Sequence, residues 1–181
     1  MKPKVKEFLL NVAYVGVCLC MALFIVVFVM QRITVVGSSM YPTLKNGDNL
    51  FVNKLVYKFS EPERYDVIVF PYRYGKGEHY IKRIIGLPGE TVFIDNEGTI
   101  YINGTELNED FGYEIITDAG AASCEIKLSD DEYFVLGDNR NHSADSRDLS
   151  VGNIKFEEIT GRASLRIWPL NKIGKIKWKI N

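Results

Sequence analysis

An uncharged stretch of 23 residues, Phe8 through Met30, constrains this chain more than any other feature, because only Asn11 and Gly16 within it fall outside the apolar set. At ~1.5 Å per residue a helix of that length reaches roughly 34 Å, enough to cross a ~30 Å hydrocarbon layer with some tilt. A cleavable secretory leader has a shorter apolar region, ~7–15 residues, followed by small residues. Here the run is longer and ends Val29-Met30-Gln31-Arg32, a poor cleavage site, so an uncleaved anchor is expected. The tail before it carries Lys2, Lys4 and Lys6, and the far side offers only Arg32 nearby. The positive-inside bias then puts residues 1–7 in the cytoplasm, 8–30 in the bilayer and 31–181 outside. Cys18 and Cys20 lie in the run and read as lipid-facing or packing residues.

The run also distorts the composition. Without it the chain is roughly 39% apolar, an ordinary content for one globular domain. Lysine and arginine (22) balance aspartate and glutamate (23), and no basic block exists beyond the tail, which excludes nucleic acid as a partner. Cys124 is the one cysteine outside the run, so neither a disulfide framework nor a four-ligand zinc pattern with His79 and His142 is available. Neither a metal nor a cofactor is expected.

From Ile33 onward, short β-branched or aromatic runs alternate with Gly, Pro, Asn and Asp, the punctuation of a β protein. The expected strands are Ile33–Val36, Asn49–Lys54, Asp66–Phe70, Tyr80–Ile85, Thr91–Ile94, Thr99–Ile102, Ser123–Leu128, Tyr133–Leu136, Ala163–Trp168 and Lys175–Ile180. Asp95–Gly98 and Asn103-Gly104 read as turns. The fold class is mainly β: an antiparallel, sheet-rich domain behind one transmembrane helix. Leu107–Gly120 is polar and patternless and reads as a long connection, so a small insertion is expected around 103–125. The Lys-, Ile- and Trp-rich tail Lys172–Asn181 reads as an edge strand protected by lysine, with a membrane-surface contact as the other reading.

Three segments place reactive or charged residues in Gly- or Pro-bounded surroundings. They are Gly37-Ser38-Ser39-Met40-Tyr41-Pro42-Thr43-Leu44, Tyr80-Ile81-Lys82-Arg83-Ile84-Ile85-Gly86, and Gly137 through Arg147. Each alone has an ordinary explanation: turn serines, a snorkelling lysine, a polar loop.

Together, with the anchor, Gly47-Asp48 and Arg64-Tyr65-Asp66-Val67-Ile68-Val69-Phe70, and all in the family's order, they make the chain resemble the bacterial type I signal peptidases in their single-anchor, Gram-positive-like form. The resemblance implies a serine endopeptidase of the bacterial cytoplasmic membrane, single-pass with its catalytic domain outside, that removes signal peptides from secreted precursors through an acyl-enzyme. It implies Ser39 as nucleophile and Lys82 as general base, with the backbone N–H of Ser39 in the oxyanion hole. A free lysine titrates near ~10.4, so Lys82 needs desolvation by apolar neighbours to act as a base. Ser143 would orient the amine, Asp145 and Arg147 would form a buttressing ion pair, and Asp138 would belong to the same supporting shell. Some relatives add a serine hydroxyl two positions before the nucleophile, where this chain has Gly37.

The substrate is expected to bind as an added strand between Thr34-Val35-Val36-Gly37-Ser38 and His79-Tyr80-Ile81-Lys82, with Met40, Leu44, Tyr80 and Ile81 lining the first pocket. Expected partners are the precursors and the bilayer, with the export machinery as a further candidate. A histidine base is disfavoured: His79, three residues before Lys82, aims at the opposite face of an extended strand. Two alternatives are a self-cleaving Ser-Lys protease, against which the anchor and the missing DNA-binding helices speak, and a bitopic β-domain binding or scaffold protein. The latter gives no reason for Lys82 or for the dense polar segment around Ser143.

Overall fold

The structure, a computed structural model, describes residues 3–24, 30–75 and 77–177. Its first element, α1 (Pro3–Phe24), is long and apolar enough to cross a membrane, and none of its span Lys4–Leu23 is buried against protein. Phe8, Leu10 and Tyr14 are each more than 60% exposed, so the apolar surface has no protein partner among the described residues. The helix starts ahead of Phe8 because proline suits a first helical turn and lysine is a good helix former. Residues 25–29 of the expected span lie outside the described residues, and Met30 already belongs to a strand.

The strands are β1 (Met30–Thr34), β2 (Asn49–Asn53), β3 (Val67–Pro71), β4 (His79–Gly86), β5 (Thr91–Ile94), β6 (Ile100–Ile102), β7 (Thr105–Glu106), β8 (Ile126–Lys127), β9 (Glu132–Leu136), β10 (Ile154–Lys155), β11 (Gly161–Trp168) and β12 (Gly174–Lys175). One sheet runs β1-β2-β11-β3-β4-β9-β10 with β12 on β11; the other runs β7-β6-β5-β8. All the strand pairs are antiparallel, so the domain is sheet-rich as its punctuation requires.

Three apolar clusters hold these sheets, and β4 contributes to each. Ile81 packs with Val35, Met40, Leu50 and Val67. Ile85 packs with Phe134, Leu136 and residues of the smaller sheet. Ile84 joins Ile68, Phe70 and Val135. Alternation along a strand feeds both faces of the sheet, and β4, eight residues long, is long enough to reach all three clusters.

Several expected boundaries shift. The strand expected at Ile33–Val36 lies earlier, at β1, because Val35 turns away to pair with the loop: its N–H donates to Asp48 O at 2.8 Å. Ser123–Leu128 shortens to β8, preceded by a 3-10 turn at Gly120–Ser123. The Asn103-Gly104 turn leads into the unexpected β7, and the smaller sheet starts at Thr91, before the insertion expected around 103–125. Leu107–Gly120 is irregular but pinned by buried Phe111 and Ile116. Among the described residues of the tail, Gly174–Lys175 forms the strand paired with β11, and Ile176 turns into the core at 4% exposure. The rest of the strand expected there, including Trp178, lies outside the described residues.

Phe134 is fully buried where the two sheets meet, whereas Phe59 is 87% exposed. Phe134→Ala is expected to cost ~3–5 kcal/mol and Phe59→Ala within ~0.5 kcal/mol, measured by denaturant unfolding of the full chain in detergent.

Candidate active site

Ser39 sits in the tight turn after β1. The turn is closed by Tyr41 N–H donating to Ser38 O at 3.0 Å and Leu44 N–H donating to Met40 O at 2.8 Å. Asn139 holds it from the third segment: its N–H donates to Ser39 O at 3.0 Å and its side-chain amide to Ser38 O at 3.1 Å. The N–H of Ser39 itself donates no hydrogen bond among the described residues, so it is free to meet an oxyanion. Gly37 takes φ +95°, a left-handed conformation that side chains resist, and its N–H donates to Asn46 Oδ1 at 3.0 Å. This backbone need is a physical reason for glycine two positions before Ser39.

Lys82 reaches this turn from β4. Its Nζ lies 2.9 Å from Ser39 Oγ, 3.2 Å from Ile81 O and 4.9 Å from the centre of the Tyr80 ring. The residue is 3% exposed. Burial lowers its pKa from 10.5 to about 8, against an opposing pull from the carboxylates of Asp145 and Asp138. The site therefore favours the neutral amine far more than water does.

Both carboxylates are neutralised by close partners. Arg147 forms a two-point pair with Asp145, at 2.8 and 2.9 Å, and Gly137 N–H adds a third bond to the same carboxylate at 3.0 Å. Asp138 is gripped at 2.8 and 2.7 Å by Arg83, and both of these side chains are wholly buried. The Arg83 guanidinium also donates to Tyr65 O and Lys177 O, each at 2.8 Å, and lies 3.8 Å from the Phe111 ring centre. Neither Arg83 nor Asn139 stood out in the sequence. A charged residue inside an apolar strand, directly after Lys82, was the available signal for Arg83.

Two expectations need correction. Ser143 does not hydrogen-bond Lys82 here: its Oγ is buried and without a hydrogen-bond partner among the described residues. It is pressed so close to Gly137 that a Cβ there would collide with it and with the carbonyl of Ser39. Leu44 does not line the cleft. It is fully buried in the cluster around Met40, because the turn after Ser39 points it into the core.

The other expected substrate contacts share one cleft of about 580 Å³. Its walls are the segment 33–40 on one side and 77–82 on the other, with His142 and Ala144 from the third segment. His79 and His142 are exposed, and neither hydrogen-bonds Ser39 among the described residues. No group of three or more metal-ligating side chains occurs among the described residues.

Residues 8–168 match the family described as signal peptidase, peptidase S26. The chain is 38% identical over 161 residues to signal peptidase I of Bacillus amyloliquefaciens, covering 83% of this chain and 82% of that one. It is 36% identical over 170 residues to signal peptidase I S of Bacillus subtilis strain 168, covering 88% of each. A crystal structure of a signal peptidase I from Enterococcus faecalis V583 is 36% identical, with a TM-score of 0.47 over 57% of this chain and 97% of that one. A Ser and a Lys in contact in a cleft between sheet edges, on a chain alike over most of its length, lead to one assignment: the chain belongs to the signal peptidase I family of serine peptidases.

Proposed function

We propose that this signal peptidase is a single-pass membrane enzyme that cleaves signal peptides through an acyl-enzyme on Ser39, with Lys82 as the base. The observation that carries this reading is the 2.9 Å contact between Lys82 Nζ and Ser39 Oγ, made by an amine that burial has shifted to about 8. Neutral Lys82 takes the proton of Ser39 as Oγ attacks the scissile carbonyl, and the free N–H of Ser39 meets the oxyanion. The lysine ammonium then gives its proton to the leaving amine, releasing the mature protein and leaving an ester on Ser39. Neutral Lys82 next deprotonates a water that attacks the ester, freeing the signal peptide and restoring the serine.

The supporting residues act on Lys82 by charge and position. Arg147 and Arg83 hold Asp145 and Asp138 in place and neutralise them, which limits their tendency to keep the amine protonated.

Main-chain groups turned toward the cleft support strand-like binding of the precursor. Residues 78, 80, 82 and 84 of the β4 line pair toward β3, as seen in Tyr72 N–H to Glu78 O at 2.9 Å and Ile84 N–H to Asp66 O at 2.9 Å. His79 and Ile81 therefore direct their main-chain groups the other way, and β9 pairs only from Arg83 onward. Across the cleft, Val36 makes no main-chain hydrogen bond among the described residues and is 88% exposed. An extended peptide fits between these two edges, with small residues near the cut beside Met40 and Ile81.

The domain division we propose is a tail of residues 1–7, within which α1 already begins, an anchor from residue 8, and a catalytic domain that starts with β1 at Met30 and runs to 181. Lysines 2, 4 and 6 favour a cytoplasmic N-terminus and an extracytoplasmic Ser39 close to the lipid surface. The bilayer and the export machinery are then its surroundings during precursor cleavage.

Ser39→Ala and Lys82→Ala are each expected to lower kcat/KM for precursor cleavage by about 10⁴-fold or more while the chain still inserts. Retained processing in either variant contradicts the dyad. Because the neutral amine is the active form, kcat/KM should rise with pH to a plateau with its midpoint near 8, falling as acid protonates Lys82. Asp145 raises that midpoint, so Asp145→Asn should move it to lower pH in whatever fraction remains folded by circular dichroism. An unchanged or raised midpoint contradicts the electrostatic coupling.

A further inference from the structure

The cleft is longer than the dyad requires. Past Tyr80 it continues between Ile33 and Gln31 on one wall and Gly77 and Glu78 on the other. Both walls run in chain order toward the dyad, one ending at Ser39 and the other at Lys82. A peptide parallel to them therefore delivers its cut bond to Ser39, with earlier residues trailing toward Gln31 and Glu78. Glu78 and Lys82 share one parity along the extended chain and so one face. At ~3.3 Å per residue they stand about 13 Å apart, which sets the fifth residue before the cut beside Glu78.

Glu78 is the one carboxylate lining the cleft among the described residues, and it is exposed. It makes no ion pair among the described residues. The hairpin holds it in place: Tyr72 N–H bonds its carbonyl, and the Tyr72 and Tyr80 rings stack at 4.5 Å with 3° between planes. Gly75 leaves room for the carboxylate, since a Cβ there would meet Glu78 Oε2 at 3.1 Å.

Resting on the reading of the cleft as the precursor-binding groove, we infer that Glu78 is a specificity-determining residue that favours a basic side chain, and disfavours an acidic one, five positions before the cleavage site. Its carboxylate attracts the one and repels the other across a partly solvated gap, so the effect is moderate and screened by salt.

The test uses the full chain in detergent and three peptides identical except for Lys, Gln or Glu at that position, assayed above the Lys82 transition. The wild type should show a Lys-to-Glu ratio in kcat/KM of about fivefold, shrinking with added salt. Glu78→Gln should bring the ratio close to unity and Glu78→Lys should invert it. The same ratio in all three enzymes overturns the inference. Lys82→Ala, run alongside, separates the two levels: if it is inactive while the ratio ignores position 78, only the role of Glu78 falls. If it cleaves like the wild type, the reading of the groove falls, and the inference with it.

Discussion

The structure turns on keeping an amine out of water beside a serine hydroxyl. Holding Lys82 at about 8 in place of 10.5 amounts to about 3 kcal/mol of preference for its neutral form. The protein obtains that preference by burying the residue in β4, whose alternate side chains enter all three apolar clusters. A strand so anchored has little freedom to let the lysine reach solvent. Among the described residues the same strand has no partner strand on its cleft-side edge before Arg83, so one element serves both the base and the groove.

Burying a lysine near two carboxylates would defeat the purpose if either carboxylate were loose. Asp145 and Asp138 both pull the Lys82 pKa upward. Each is tied to its own arginine, and the Arg83–Asp138 pair is wholly removed from solvent. Such a pair contributes little net stability, because desolvation offsets attraction, but losing one partner strands the other charge. Its value lies in fixing positions: Arg83 reaches the chain at Tyr65 and Lys177, while Asp145 receives Gly137 N–H. Asn139 adds the link to the nucleophile turn.

How much of this was legible depended on whether a residue's role was local. Strands such as β5 and β9 were readable because β-branched and aromatic residues cluster between turn residues. The two-residue β7 and β10 were not, since two residues carry no period. Leu107–Gly120 looked patternless because tertiary partners order it: Phe111 covers Arg83, and Asn141 donates to Ile115 O at 2.9 Å. Ser39 and Lys82 were conspicuous as reactive residues in tight surroundings, whereas the pairing of Arg83 with Asp138, 55 positions away, leaves no local trace. Leu44 was misread because spacing does not distinguish a groove wall from the core behind it.

The central claim is that a buried neutral Lys82 activates Ser39. The most direct measurement is labelling of the full chain in detergent with a serine-directed acylating inhibitor, located by mass spectrometry of the digested protein at a series of pH values. The account predicts acylation at Ser39 alone, with a rate that climbs to a plateau about a midpoint near 8 and is lost in Lys82→Ala. Acylation elsewhere, or at Ser39 with a rate indifferent to Lys82, would contradict it.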